Sequence, residues 1–201
     1  MAHVPVYTEN SLTVHGVTAT VVTWSIASLT STNMTGGTGP EGYDPPGFVS
    51  NPQPGCPHHH QRGHLVGNKL GGRGIEGNLV TLTNGSNHPV MYEFEAWVYE
   101  YVKSKPGQTF YYEVQPRYRS GEYTVTPNLP MAIAGASGNP YCPFPCPESL
   151  LIFFYDGAGQ HPLSWKIPTE AKEGNAVVIK NGVYKFHEGS VKHVAKGCFA
   201  A

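Results

Sequence analysis

The chain has 201 residues, enough for one domain with a sizeable buried core. Its 24 glycines and 18 prolines stay below the level that marks disordered sequence, and aromatics at 11% point to a compact, turn-rich fold with more strand than helix. Net charge is −1 and pI about 6.8, so the globally basic surface of a dedicated nucleic-acid binder is missing, and no apolar run reaches the length of a membrane span.

The N-terminus, Met1-Ala2-His3-Val4-Pro5, has neither the basic nor the apolar region of a secretory signal. Residues 12–29 are rich in Val and Thr with rough alternation, which predicts one long strand or a strand pair. Residues 30–57 are broken by Gly36-Gly37, Gly39-Pro40, Pro45-Pro46-Gly47, Pro52, Pro54 and Pro57. A loop of that length inside a domain is usually functional or disordered. His58-His59-His60 follows, either a polar loop that happens to be His-rich or a phosphate- or metal-binding run.

Short strands are predicted at 61–66 and 78–83, joined by a connection holding Gly71, Gly72, Gly74 and Gly77. Residues 89–103 form the clearest helix. Val90, Met91, Phe94, Trp97, Val98, Tyr101 and Val102 share one face, and Pro89 suits the first turn. Residues 108–118 alternate as a strand, Ser120-Gly121 turns into 122–126, and 127–147 are again rich in proline and glycine. Residues 149–155 read as an apolar strand. Asn181-Gly182 between 176–180 and 183–186 is a two-residue hairpin signal.

The four cysteines are Cys56, Cys142, Cys146 and Cys198. An even count in an exported protein allows three pairings, and one or two structural disulfides or buried thiols are expected. Cys142-Pro-Phe-Pro-Cys146 is too stiff, and wrongly spaced, for a redox pair. Zinc is the alternative, because Cys56 lies near the histidine run, but zinc-finger spacing is absent.

Gln61-Arg62-Gly63-His64-Leu65 carries the chemistry. It puts one histidine in a glycine-rich segment with Arg62, Lys69 and Arg73 and no acid between 61 and 75. Amide-bearing residues and a helix follow. A neutral imidazole can act as base near pH 7, an amide oxygen is a hard neutral donor for Mg²⁺, and cations can hold phosphate. Such a set suits single-metal phosphodiester hydrolysis.

Arg62-Gly63-His64-Leu65, then Gly71-Gly72, Gly77-Asn78-Leu79-Val80, Asn87 and a helix carrying Glu95 resemble the DNA/RNA non-specific endonuclease family of the ββα-metal (His-Me finger) superfamily, in particular its bacterial toxin-type domains. The similarity runs over roughly residues 60–118. It implies an α+β fold: a ββα-metal nuclease core on a mainly antiparallel sheet with long Pro/Gly-rich loops. One domain over 1–201 is expected, with the core motif at 60–118 and a β-rich extension at 120–201.

The resemblance implies His64 as general base, with Arg62 on the scissile phosphate. Asn87 would be the ligand of Mg²⁺ or Mn²⁺, with Asn84 as competitor and helix capping as the other role open to Asn87. Glu95 would orient the ion's waters, a solvated helix glutamate being the alternative. Lys69 and Arg73 would bind substrate phosphate, and Asn78 would brace the loop. Two departures stand out: Gln61 where secreted relatives often have an acid, and His88 where toxin-type relatives favour arginine.

The expected activity is endonucleolytic hydrolysis of DNA, and of RNA, without strong sequence preference. The expected setting is secreted or delivered into target cells, as for an antibacterial toxin with an immunity protein as partner; the cytoplasm is the other option. No membrane partner is expected. A non-catalytic, β-rich binding or structural module is the alternative in another class.

Overall fold

The structure, a computed structural model, describes residues 5–14, 16–48, 60–83, 86–118, 145–162 and 171–181. In chain order the elements are β1 (Val6–Val14), β2 (Val17–Leu29), β3 (His60–His64), β4 (Leu79–Thr83), α1 (Tyr92–Lys103), β5 (Phe110–Arg117), β6 (Ser149–Asp156), β7 (Ala171–Glu173) and β8 (Ala176–Lys180). Six strands form one sheet in the order β1-β2-β5-β6-β8-β7, antiparallel throughout, and β3 and β4 form a separate antiparallel pair. This is the expected α+β arrangement, with strand, strand and helix following one another in the middle of the chain.

Residues 12–29 resolve into a strand pair, with β1 reaching back to Val6. Gly16 takes a left-handed φ of 77° at the turn, which a side chain would resist. Along β5, Phe110, Tyr112 and Val114 are buried while Tyr111, Glu113 and Gln115 are half-buried, a period of two that gives the sheet an inner face. On the neighbouring β6, Leu150, Ile152 and Phe154 face the same way.

Helix α1 packs its stripe onto that face. Phe94, Val98 and Val102 are buried, and Trp97 and Tyr101 meet Phe154 edge-on. Leu65, Val66, Val80 and Leu82 bring the β3–β4 pair into the same core. Each such side chain fully buried contributes roughly 1.5–3 kcal/mol. The β3–β4 pair and α1 are therefore fixed by one shared core, and the loops between them are held on a rigid base.

The helix begins later than its apolar periodicity predicts. Residues Ser86–Met91 form a wider turn with a kink at His88 (φ −147°, ψ 112°), and α1 starts at Tyr92. His88 precedes Pro89, whose ring disfavours helical backbone in the residue before it. The hairpin at the C-terminal end also differs. β8 pairs back onto β7 across Gly174, while 183–186 lie outside the described residues. The expected strand at 122–126 lies outside them too. The strands β6, β7 and β8 of the C-terminal extension belong to the main sheet rather than to a separate layer. Among the described residues no helix is long and apolar enough to cross a membrane.

Candidate active site

His64 ends β3, opposite Leu79 of β4. Its Nε2 lies 3.0 Å from the backbone carbonyl of Thr38. A carbonyl only accepts, so Nε2 carries the proton and Nδ1 keeps its lone pair. Burial lowers the imidazole pKa below its usual 6.5, and the Thr38 carbonyl opposes this with a smaller effect. The ring is thus neutral near pH 7, with one basic nitrogen.

Thr38 belongs to the long loop, which the glycine connection holds in place. Thr38 N–H donates to the Gly72 carbonyl (3.2 Å), Gly74 N–H donates to Thr38 Oγ1 (3.0 Å), and Glu41 N–H donates to the Gly74 carbonyl (3.0 Å). Asn78 holds the other side of that connection, 1% exposed. Its Oδ1 accepts from Val66 N–H, and its Nδ2 donates to the carbonyls of Val66 and Arg73, each at 2.9 Å.

Asn87 is half-buried in the wide turn before α1. It does not cap that helix, whose N-cap position is Met91. Its Nδ2 donates to Gln61 Oε1 at 2.8 Å, and its Oδ1 has no hydrogen-bond partner among the described residues. Asn84, its competitor, lies outside them.

Glu95, on the first turn of α1, reaches back under Gly67 and accepts that residue's backbone N–H. A Cβ at position 67 would overlap the carboxyl group, so a larger residue there would push the Glu95 carboxyl from this position. Glu95 as a whole is half-buried, while its Oε1 is shut off from solvent without a partner. Burial pushes its pKa up to about 8, with the Gly67 N–H and Lys69 pulling the other way. It is not a solvated helix glutamate. The hydroxyl of Tyr112, on β5, is likewise buried and unpartnered, and its pKa is raised by burial and by the nearby Glu95.

The cations rest in pairs. Arg62 contacts Asp44 Oδ1 through Nη2 (2.6 Å) and Nε (2.8 Å) and lies over Phe48. Arg73 meets Glu41 at 3.5 Å. Lys69 donates to the Tyr92 hydroxyl at 3.0 Å and sits over its ring, on which His88 also stacks. The segment 61–75 has no acid of its own, but folding supplies Asp44 and Glu41 from the preceding loop. Sequence reasoning missed both, and it missed Thr38 because a backbone carbonyl leaves no mark in residue type.

Among the described residues no three His, Cys, Asp or Glu side chains gather as a metal cluster. The available donors are instead an amide oxygen without a partner at Asn87 and a buried carboxylate oxygen without one at Glu95. Each is a hard oxygen donor of the kind a hydrated hard cation accepts in small number, and neither is a ligand typical of structural tetrahedral zinc. Cys56, His58 and His59, raised above as a zinc alternative, lie outside the described residues, and His60 is buried in β3 near the Phe48 ring. Cys146 is disulfide-bonded; Cys142 and Cys198 lie outside the described residues.

A structure of NucA from Streptococcus agalactiae with magnesium bound is 13% identical and superposes with a TM-score of 0.49, covering 90% of this chain and 78% of that one. The metal-free form of the same protein gives 15% and 0.47 with the same coverage. An extracellular nuclease is 19% identical, with a TM-score of 0.44 over 88% of this chain and 85% of that one. No curated protein sequence matches. The model of the DNA/RNA non-specific endonuclease family matches residues 22–132. That match takes in more than half of the chain, from the middle of β2 through His64, Asn87 and Glu95, and the chain belongs to the DNA/RNA non-specific endonuclease family.

Proposed function

We propose that this chain is a metal-dependent endonuclease that hydrolyses DNA, and RNA, with little sequence preference. The observation that carries the proposal is the state of His64: Nε2–H is committed to Thr38 and the ring is kept neutral, so Nδ1 is free to take a proton. A water gives that proton to Nδ1 while its oxygen attacks phosphorus in line with the 3′ oxygen. The bond to the 3′ oxygen breaks, the 3′ oxygen takes a proton from solvent, and the products carry 5′-phosphate and 3′-hydroxyl ends.

Asn87 Oδ1 would hold a Mg²⁺ or Mn²⁺ ion, which supplies charge stabilisation for the phosphate and the leaving oxygen. Glu95 Oε1 would accept hydrogen bonds from water around that ion, relieving its lack of a partner. Arg62 would exchange Asp44 for the scissile phosphate. An exposed ion pair is worth only about 0–1 kcal/mol, less than a charge-assisted bond to phosphate. Lys69 and Arg73 would extend the phosphate contacts. Backbone contacts carry no base information, which supports low sequence preference.

The setting we propose is an exported nuclease, as for an antibacterial toxin paired with an immunity protein that covers this cleft. The disulfide at Cys146 suits an oxidising compartment. The test is nicking of supercoiled plasmid by the purified chain with Mg²⁺ or Mn²⁺, and with EDTA. Nicking that requires the metal and leaves ligatable 5′-phosphate ends is expected. Full activity in EDTA would overturn the one-metal mechanism, and no nicking with either metal would overturn the enzyme.

A further inference from the structure

An asparagine can ligate a cation only through Oδ1; turned over, it presents two N–H donors instead. Something must therefore choose the orientation of Asn87, and the helix does not, because Asn87 makes no capping bond to α1. The contact that chooses is the one from Asn87 Nδ2 to Gln61 Oε1 at 2.8 Å. Gln61 lies on β3 opposite Leu82, next to the place where the chain leaves β4 for the turn that carries Asn87. We propose that Gln61 is a positioning residue that fixes the Asn87 amide with its oxygen toward the cation and its nitrogen away from it. This rests on the metal role of Asn87 given above.

The contact also sets how much charge the site carries. Gln61 supplies an acceptor without a negative charge, whereas a carboxylate there would accept the same hydrogen bond and add to the attraction for a cation. Ligand charge is one of the terms that tunes affinity for hard cations. A donor-only side chain at position 61 would do the opposite. It would draw Asn87 Oδ1 toward itself and turn the N–H groups to the cation side.

The test is Mn²⁺ titration of the full chain without nucleic acid, followed by electron paramagnetic resonance of the free ion. Wild type is compared with Gln61→Glu, Gln61→Ala, Gln61→Lys and Asn87→Ala, each checked for folding by near-UV circular dichroism. Gln61→Met, which keeps length and removes the acceptor, replaces any Ala variant that fails to fold. Gln61→Glu should bind at least as tightly as wild type. Gln61→Ala should weaken binding roughly 10–100-fold, the usual effect of losing a group that orients a ligand. Gln61→Lys should be weaker than Gln61→Ala. Binding lost in Asn87→Ala but unchanged in Gln61→Ala and Gln61→Lys would overturn the positioning role and leave the metal site standing. Gln61→Lys binding as well as Gln61→Ala would overturn the orientation argument. No Mn²⁺ binding by wild type would overturn the metal role of Asn87, and this inference with it.

Discussion

Glu95 is a carboxylate held where only its protonated form is comfortable. Its folded pKa, about 8, lies above the usual 4.5, so between those values the folded chain binds the extra proton. Stability from this group is present below pH 4.5 and is lost as pH rises to 8. Glu95→Gln mimics the protonated form. In EDTA it should raise Tm relative to wild type at pH 8–9 and leave it unchanged near pH 4, which thermal melts across that range would check; equal pH slopes for the two proteins would contradict the buried carboxyl. At Arg62 the resting partner is Asp44. If phosphate displaces it, Asp44 takes up a counterion on release and partly offsets the one that phosphate gives up. Asp44→Asn should therefore strengthen DNA binding and steepen the slope of log affinity against log salt by a fraction of the roughly 0.9 that one phosphate contact contributes. Binding of a catalytically inactive variant across a salt series measures this, and an unchanged slope would remove Arg62 from the phosphate footprint.

At the scale of elements, the site depends on how the β3–β4 pair is fastened to the main sheet. Asn181, just past β8, is 5% exposed. Its Oδ1 accepts from Thr83 N–H (2.8 Å), and its Nδ2 donates to the carbonyls of Thr81 (3.0 Å) and Pro147 (2.9 Å). Ser86 Oγ, one residue before Asn87, donates to the Lys180 carbonyl at 2.9 Å. Asn181→Ala leaves buried backbone groups unpaired, at about 1–3 kcal/mol each. We expect a loss of roughly 2–4 kcal/mol in urea unfolding, together with weaker metal binding as the turn at Asn87 loosens; a loss below about 0.5 kcal/mol would mean that the strand pair is held by its core alone. β3, β4 and α1 were legible because their apolar spacing is strong and local. The start of α1 was not, because the effect of Pro89 on His88 overrides a stripe that already includes Val90 and Met91. Asn181 carries a turn signal in sequence, and its bonds to Thr81 and Thr83 span about a hundred residues that only the sheet brings together. His64, Asn87 and Asn78 stood out only through the spacing they share with the endonuclease family; Asp44, Glu41 and the Thr38 carbonyl come from a loop whose course no periodicity reveals.

Across the whole molecule, one sheet face supports the helix, the strand pair and the loop between Thr30 and Phe48, so groups far apart in sequence share one base. The C-terminal strands complete that sheet, and Asn181 and Lys180 reach from it to Thr83 and to Ser86, which opens the turn carrying Asn87. With a net charge of −1, little beyond the site draws nucleic acid in, and the proposed mechanism rests on the geometry around His64. The acid limb of the rate against pH should accordingly fall below 6.5, where burial places the imidazole. The most direct measurement is the single-turnover cleavage rate of wild type and a folded His64→Ala variant with saturating Mg²⁺ at pH 8. A loss of about 10²–10⁴-fold, with Tm and DNA affinity retained, is the result predicted for removal of the general base. Cleavage by folded His64→Ala at the wild-type rate would contradict the mechanism.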